Sequence, residues 1–243
     1  MTMTRTLFPA MVLTLAAAFA NAAIVTFSGV DPGANSTDPR PNANAAAAAC
    51  DASGNETIYD FESQSVGPFT NLVLTPGVTI NGKDVSGSPQ TIQGAPIGAP
   101  DALYGYNTTV GGTKFVSLYG GSLTFTFDRP IEDFCAYFTG GQINGSTIKF
   151  NDGSDQTLQI PNPGSDGGVV FFGFLDSNSP SPIYSLTIDV DGDIVGIDDV
   201  RISYAPSVPE PSTIALLGIA VAGLGFSGWR TAKRVAPQIA LNS

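Results

Sequence analysis

The stretch "KFVSLYGGSLTFTF" (residues 114–127) decides the fold. After the Gly120–Gly121 turn, Leu123, Phe125 and Phe127 fall on one side of an extended chain. Ser122, Thr124 and Thr126 fall on the other. That period of two is the mark of a strand with one buried face. The same texture spreads in both directions. "TIYDFE" (57–62) alternates, and "IYSLTIDV" (183–190) alternates again. "STIKF" (146–150) and "QTLQI" (156–160) flank "NDGS", a hairpin turn. "FCAYF" (134–138) reads as a further strand, separated from 122–127 by "DRP" (128–130), which is expected to break the run. "VVFFGFL" (169–175) is almost wholly apolar and suits a strand covered on both faces. "IVGIDDVRISY" (194–204) closes the series. With 28 Gly, 18 Pro and no convincing amphipathic helix, residues 57–205 are expected to form an all-β domain, an antiparallel jelly-roll-like β-sandwich.

Before this domain, residues 23–56 are rich in Gly, Pro, Asn and Ala and are expected to be a flexible segment, with the run 45–49 as the one place for local order. Residues 1–22 have the form of a cleavable signal peptide: Arg5, a short apolar run from Leu7, then small residues at Ala18, Ala20 and Ala22. Such a chain leaves through the Sec translocon. At the other end, residues 212–229 carry no charge and would span about 27 Å as a helix, enough for a bilayer core. Trp229 stands at the interface position, and Arg230, Lys233 and Arg234 mark the stop, placing residues 230–243 in the cytoplasm.

Charge and composition exclude several functions. Residues 23–207 hold 20 Asp and Glu against six Lys and Arg, a net charge of −14. Nucleic acid needs clustered cations, so it is not an expected partner. There is no histidine, which removes Ser-His and Cys-His nucleophile systems and most zinc sites. The two cysteines, Cys50 and Cys135, are candidates for one disulfide in an oxidising compartment, with two free thiols as the alternative.

The C-terminal pattern has three parts: "VPEPST" (208–213), the apolar stretch after it, and "RTAKR" (230–234). It resembles the PEP-CTERM sorting domain of Gram-negative bacteria, a domain also labelled ice-binding protein C-terminal domain. The resemblance implies an exosortase-type membrane protease as partner. It also implies recognition and processing around Pro209, Glu210 and Pro211, within a 206–211 linker. The expected location is transient anchoring in the inner membrane, then the cell surface or medium. Proline fixes φ and lacks an N–H, so Pro-Glu-Pro holds an extended, protease-accessible chain. A GPI signal also uses an apolar tail, but would end apolar instead of on cations.

Candidate sites on the β domain are fewer. "GIDDVRIS" (196–203) resembles the last strand of jelly-roll carbohydrate-binding modules, and "YDFE" (59–62) their early acidic partner. That resemblance implies a structural Ca²⁺ held by Asp60, Glu62, Asp198 and Asp199. If Val200 and Ile202 face the core, parity turns Asp198 inward too, where a carboxylate needs a metal or a partner such as Arg201 or Arg129. Asp189, Asp191 and Asp193 read as a solvated hairpin. Tyr104 and Tyr106 are candidates for stacking on sugar rings. The function expected is an exported, non-enzymatic structural, adhesive or polysaccharide-binding component of biofilm or exopolysaccharide. The alternatives are a secreted polysaccharide-acting enzyme and, more weakly, an ice- or surface-binding protein.

Overall fold

A computed structural model describes residues 24–205, apart from 55, 96–100, 155 and 177–180. The expected signal peptide, the 212–229 span and the sorting motif lie outside the described residues. Among the described residues no helix is long and apolar enough to cross a membrane. The chain divides into two units, residues 1–205 and 206–243. The strands run β1 (Val25–Pro32), β2 (Thr57–Tyr59), β3 (Gly67–Phe69), β4 (Asn71–Thr75), β5 (Val78–Lys83), β6 (Gln90–Gln93) and β7 (Phe115–Tyr119). They continue with β8 (Ser122–Thr139), β9 (Thr147–Phe150), β10 (Thr157–Gln159), β11 (Gly168–Leu175), β12 (Ile183–Asp189) and β13 (Ile194–Tyr204). Helix α1 (Pro41–Asp51) lies between β1 and β2.

Strand β8 organises the rest. Its first half, Ser122 to Phe127, pairs with β5 on one side and β12 on the other. Its second half, to Thr139, pairs with β11 and β13. The first sheet therefore reads β4-β5-β8-β12-β9-β10. The second reads β1-β11-β8-β13, continues through β7, β6 and β3, and carries β2 on β13 beyond β7. Every pairing described is antiparallel. The expected break at 128–130 does not occur. The strand runs on through it with a shift of register against β12, and Pro130, with no N–H to give, still accepts from Ala205 N at 3.0 Å.

The main core lies between the two sheets. Leu123, Phe125, Ile80, Leu186 and Phe150 come from the first, and Phe134, Phe138, Phe172, Ile197 and Ile202 from the second. Phe125 meets Phe134 edge to face at 5.1 Å. Leu123, Phe125 and Phe127 are buried, as the alternation requires, while Thr126 is exposed and Ser122 and Thr124 half-buried.

Strand β11 is covered on both faces. Val170, Phe172 and Phe174 face the main core, and Val169 and Phe171 face a second cluster with Cys135, Tyr137 and Tyr106. The cover of that second face is α1. This corrects the reading of residues 23–56 as flexible: β1 pairs along its whole length with β11, and α1 packs behind. The buried positions Ala43, Ala46, Ala47 and Cys50 follow i, i+3, i+4, i+7, the stripe of an amphipathic helix written in residues too small to stand out. Small residues are required by the distance. A Cβ on Gly29 would collide with Asn42 O. Pro41 opens the helix. Asp31 then caps it from β1, accepting from Asn42 N at 3.2 Å and Ala43 N at 2.8 Å. Cys50 and Cys135 form a disulfide that ties α1 to β8 across a sequence separation of 85.

Two changes test this layer. The Cys50→Ala/Cys135→Ala variant is expected to lose about 4.5 kcal/mol by the chain-entropy argument, read from the denaturant midpoint. Gly29→Val is expected to lift α1 off β1 and expose the helix amides to hydrogen exchange, leaving the amides of β8 protected.

Candidate functional site: a clamped loop beside a polar cleft

Residues 105–114, between the short helical turn Asp101–Leu103 and β7, form a loop with little apolar content. Polar anchors hold it from three directions. From β13, Asp198 Oδ2 accepts from Thr108 N at 2.6 Å, Thr108 Oγ1 at 3.0 Å and Thr109 N at 3.1 Å. Asp199 Oδ1 accepts from Thr109 Oγ1 at 2.6 Å. From the segment after β2, Glu62 Oε1 accepts from Asn107 Nδ2 at 3.0 Å and from the N–H groups of Thr113 and Lys114 at 2.7 Å each. From the start of α1, Arg40 Nη2 donates to Thr108 O at 2.7 Å.

The backbone of β13 explains how Asp198 gets there. The register shifts between Asp198 and Arg201, and Asp199 has φ 46°, so the strand carries a bulge. Val195 and Ile197 before the bulge, and Val200 and Ile202 after it, face the same core. Simple alternation would put them on opposite sides. Asp198 is fully buried, as parity suggested, but on the other face: its register partner is Tyr137, in the cluster under α1. Burial, then the charge of Asp199, pushes the Asp198 carboxyl up to about 7, against the hydrogen bonds from Thr108.

The expected Ca²⁺ ligands are thus divided. Asp198 and Asp199 meet at Thr108 and Thr109. Glu62 holds the far end of the same loop, and Asp60 Oδ1 accepts from Glu62 N at 3.1 Å. Among the described residues no three Asp, Glu or Cys side chains converge as a metal shell. Arg201 does not pair with Asp198. It forms an ion pair with Asp51 at 2.6 Å, and its guanidinium lies over Phe171 at 5.1 Å. Arg129 lies over the Tyr204 ring at 3.8 Å.

Tyr106 cannot stack on a ligand. It is 0% exposed, and its OH donates to Ala34 O at 2.7 Å. Tyr104 is half-buried. Of the hairpin acids, Asp189 and Asp191 are exposed, but Asp193 is buried. Its Oδ2 accepts from Gln142 N at 2.6 Å and Ile143 N at 2.9 Å, which fixes the loop after β8.

Beside the clamped loop is a cleft of about 490 Å³. Ser36 and Arg40 line one part, Gly94 and Ala95 another, and Asn107 with residues 109–113 the third. Its size falls in the range of small-molecule sites. Sequence reading missed it, because its three segments are remote in the chain and only the fold joins them.

The described residues thus define a class: a disulfide-stapled all-β sandwich with polar loops at one end. The chain as a whole carries an address as well. Residues 207–230 match the family model of the PEP-CTERM protein-sorting motif, which takes in Pro209, Glu210, Pro211, Trp229 and Arg230. That motif is a recognition signal for exosortase and implies export and membrane-associated processing toward the cell surface. The match does not extend into the β domain. No curated protein matches the chain.

The hydrogen-bonded clamp predicts a pH signature. A carboxyl whose folded value is raised stabilises the fold fully below its unfolded value near 3.8 and loses that contribution as pH rises toward about 7. Asp198→Asn is therefore expected to flatten the fall in melting temperature between pH 4 and 7. An unchanged slope would show that Asp198 is ionised throughout. The hydrogen bonds of the clamp alone predict the same melting temperature with and without EDTA, and a drop in EDTA would assign Ca²⁺ to the site.

Proposed function

We propose that the chain is an exported surface or extracellular-matrix protein whose β-sandwich is a non-enzymatic structural, adhesive or polysaccharide-binding component of biofilm or exopolysaccharide. The sorting motif at 207–230 carries the reading, because it sends the domain outside the cell. The rest is consistent with life there. A disulfide and an acidic, soluble surface suit an extracellular domain. Strands distant in sequence lie side by side, β2 on β13 and β1 on β11, as a jelly-roll-like passenger requires. A polar cleft lies beside the clamped loop. The carboxylates nearest it are engaged as loop anchors, which favours binding over the paired-acid chemistry of a glycosidase.

A second reading, attachment to ice or another ordered surface, has one observation behind it. The outer face of the first sheet presents rows of hydroxyls, with one amide and one ammonium among them. Asn81, Thr124, Thr187, Lys149 and Thr157 are register neighbours across five strands, with Thr79, Thr126 and Ser185 in the next row. Thr124 and Thr187 hydroxyls lie 2.9 Å apart.

The test has two arms. Replacing Pro209, Glu210 and Pro211 together by Ala is expected to keep the protein in the membrane fraction and off the cell surface. The mature exported protein is expected to co-sediment with isolated exopolysaccharide, and Thr124→Arg/Thr187→Arg is expected to leave this intact. Loss of sedimentation in that variant would favour the flat face over the cleft.

A further inference from the structure

We infer that the cleft takes a carboxylate-bearing sugar unit, a uronic acid, with the Arg40 guanidinium as the acid's partner. This rests on the polysaccharide reading above and narrows it to a chemical class and a residue.

The first observation is the distribution of charge. Residues 23–207 have a net charge of −14, yet among the described residues lining the cleft Arg40 alone is charged. The acids close to this loop are turned to other tasks. Glu62, Asp198 and Asp199 accept hydrogen bonds from Thr108, Thr109, Thr113 and Lys114, so these oxygens are engaged by the loop, and none of the three acids is among the described residues lining the cleft. The cleft wall is thereby a local exception on an acidic molecule.

The second observation is the state of the guanidinium. Nη2 is bonded to Thr108 O, which fixes the plane of the group. Nη1 is closed off from solvent and has no hydrogen-bond partner among the described residues. A buried donor left unpaired is unfavourable, and a charge-assisted bond to a carboxylate is among the strongest it can form. The atom is shielded in the free protein, so a ligand reaches Nη1 only if the wall over it moves. The ring of Tyr137, 5.7 Å from the guanidinium carbon, supports the cation from behind.

The third observation is what surrounds the cation. The donors of Asn107 and Thr109 are committed to Glu62 and Asp199, so Asn107 Oδ1 and the hydroxyl oxygens of Thr109 and Thr113 serve as acceptors for sugar hydroxyls, and Val110, at 98% exposed, offers a small apolar contact at the loop tip. No aromatic ring lines the cleft among the described residues. Recognition therefore rests on hydrogen bonds and one ion pair. The domain's overall charge repels a densely anionic chain at a distance, so the fitting ligand is a short or sparsely acidic segment. At about 0.15 M salt the Debye length is about 8 Å, and the long-range repulsion is largely screened while the contact pair survives.

The mature exported protein is titrated by calorimetry, at that ionic strength, with oligouronates and with neutral oligosaccharides of the same length. The oligouronates are expected to bind at least tenfold more tightly. Arg40→Gln is expected to erase that preference, and Arg40→Lys to restore only part of it, since lysine lacks the planar fork. Val110→Trp, at a fully exposed tip where folding is not at stake, is expected to block binding by filling the cleft. Equal binding of acidic and neutral sugars, or an indifferent Arg40→Gln, overturns the uronic-acid assignment and leaves polysaccharide binding standing. Oligouronate binding that survives Val110→Trp overturns the cleft as the site. Failure of every glycan to bind removes the polysaccharide reading itself.

Discussion

One strand has to belong to two facing sheets, and the domain is built around how β8 does so. A strand's side chains alternate, so a chain passing from one layer to the other must turn its apolar face as it goes. Over 122–127 the buried side chains are odd-numbered, Leu123, Phe125 and Phe127; over 134–138 those facing the same core are even-numbered, Phe134, Ala136 and Phe138. Ile131, still odd-numbered, faces that core too, so the change of parity falls between Ile131 and Phe134, where the register against β13 shifts. Both sheets then close on one core, and the outer face of the second sheet is left apolar at Val169, Phe171 and Cys135. That face has to be covered, and α1 does it.

The same economy of backbone irregularities makes the candidate site. A bulge at Asp199 lets β13 keep Ile197 and Val200 in one core while Asp198 looks the other way. A carboxylate buried there is tolerable because loop N–H and O–H groups converge on it. The loop, in turn, has few apolar contacts and depends on Asp198, Asp199, Glu62 and Arg40 for its shape. Acidic residues that look like metal ligands in the sequence accept hydrogen bonds from the backbone and hydroxyls of the loop.

Acid groups cluster at a second place with a different outcome. Glu56 lies beside Asp51 and Asp133, and burial with these neighbours pushes its carboxyl up to about 8, while Arg201 pulls the other way. Asp133, held up by burial, accepts from Ser203 N at 2.8 Å. These groups pack around the end of α1 next to the disulfide, where Cys50 Sγ lies 3.5 Å from Glu56 Oε1. The domain thus uses its excess of acid inside as well as on its surface, and its stability in that region depends on which of the acids hold protons.

By itself the sequence determined the all-β class, the strands of 122–127, 146–150 and 183–190, the double coverage of 169–175, and the address at 208–234. Each is written in local order: a period of two, an unbroken apolar run, or a contiguous motif. Helix α1 was legible only in part, because Ala43, Ala46 and Ala47 bury by virtue of the close approach at Gly29, and alanine carries little apolar signal. Only the tertiary structure decided the rest. Whether Asp198 faces the core turns on one bulge that no alternation rule can see. Tyr106 has the chemistry of a sugar-binding residue, and its burial came from packing alone. The cleft joins residues 36–40, 94–95 and 107–113, and nothing in any one of those stretches says that the other two lie beside it. Local patterns encode which face of a strand is apolar, while a site made of segments remote in the chain exists only once the sheets have closed.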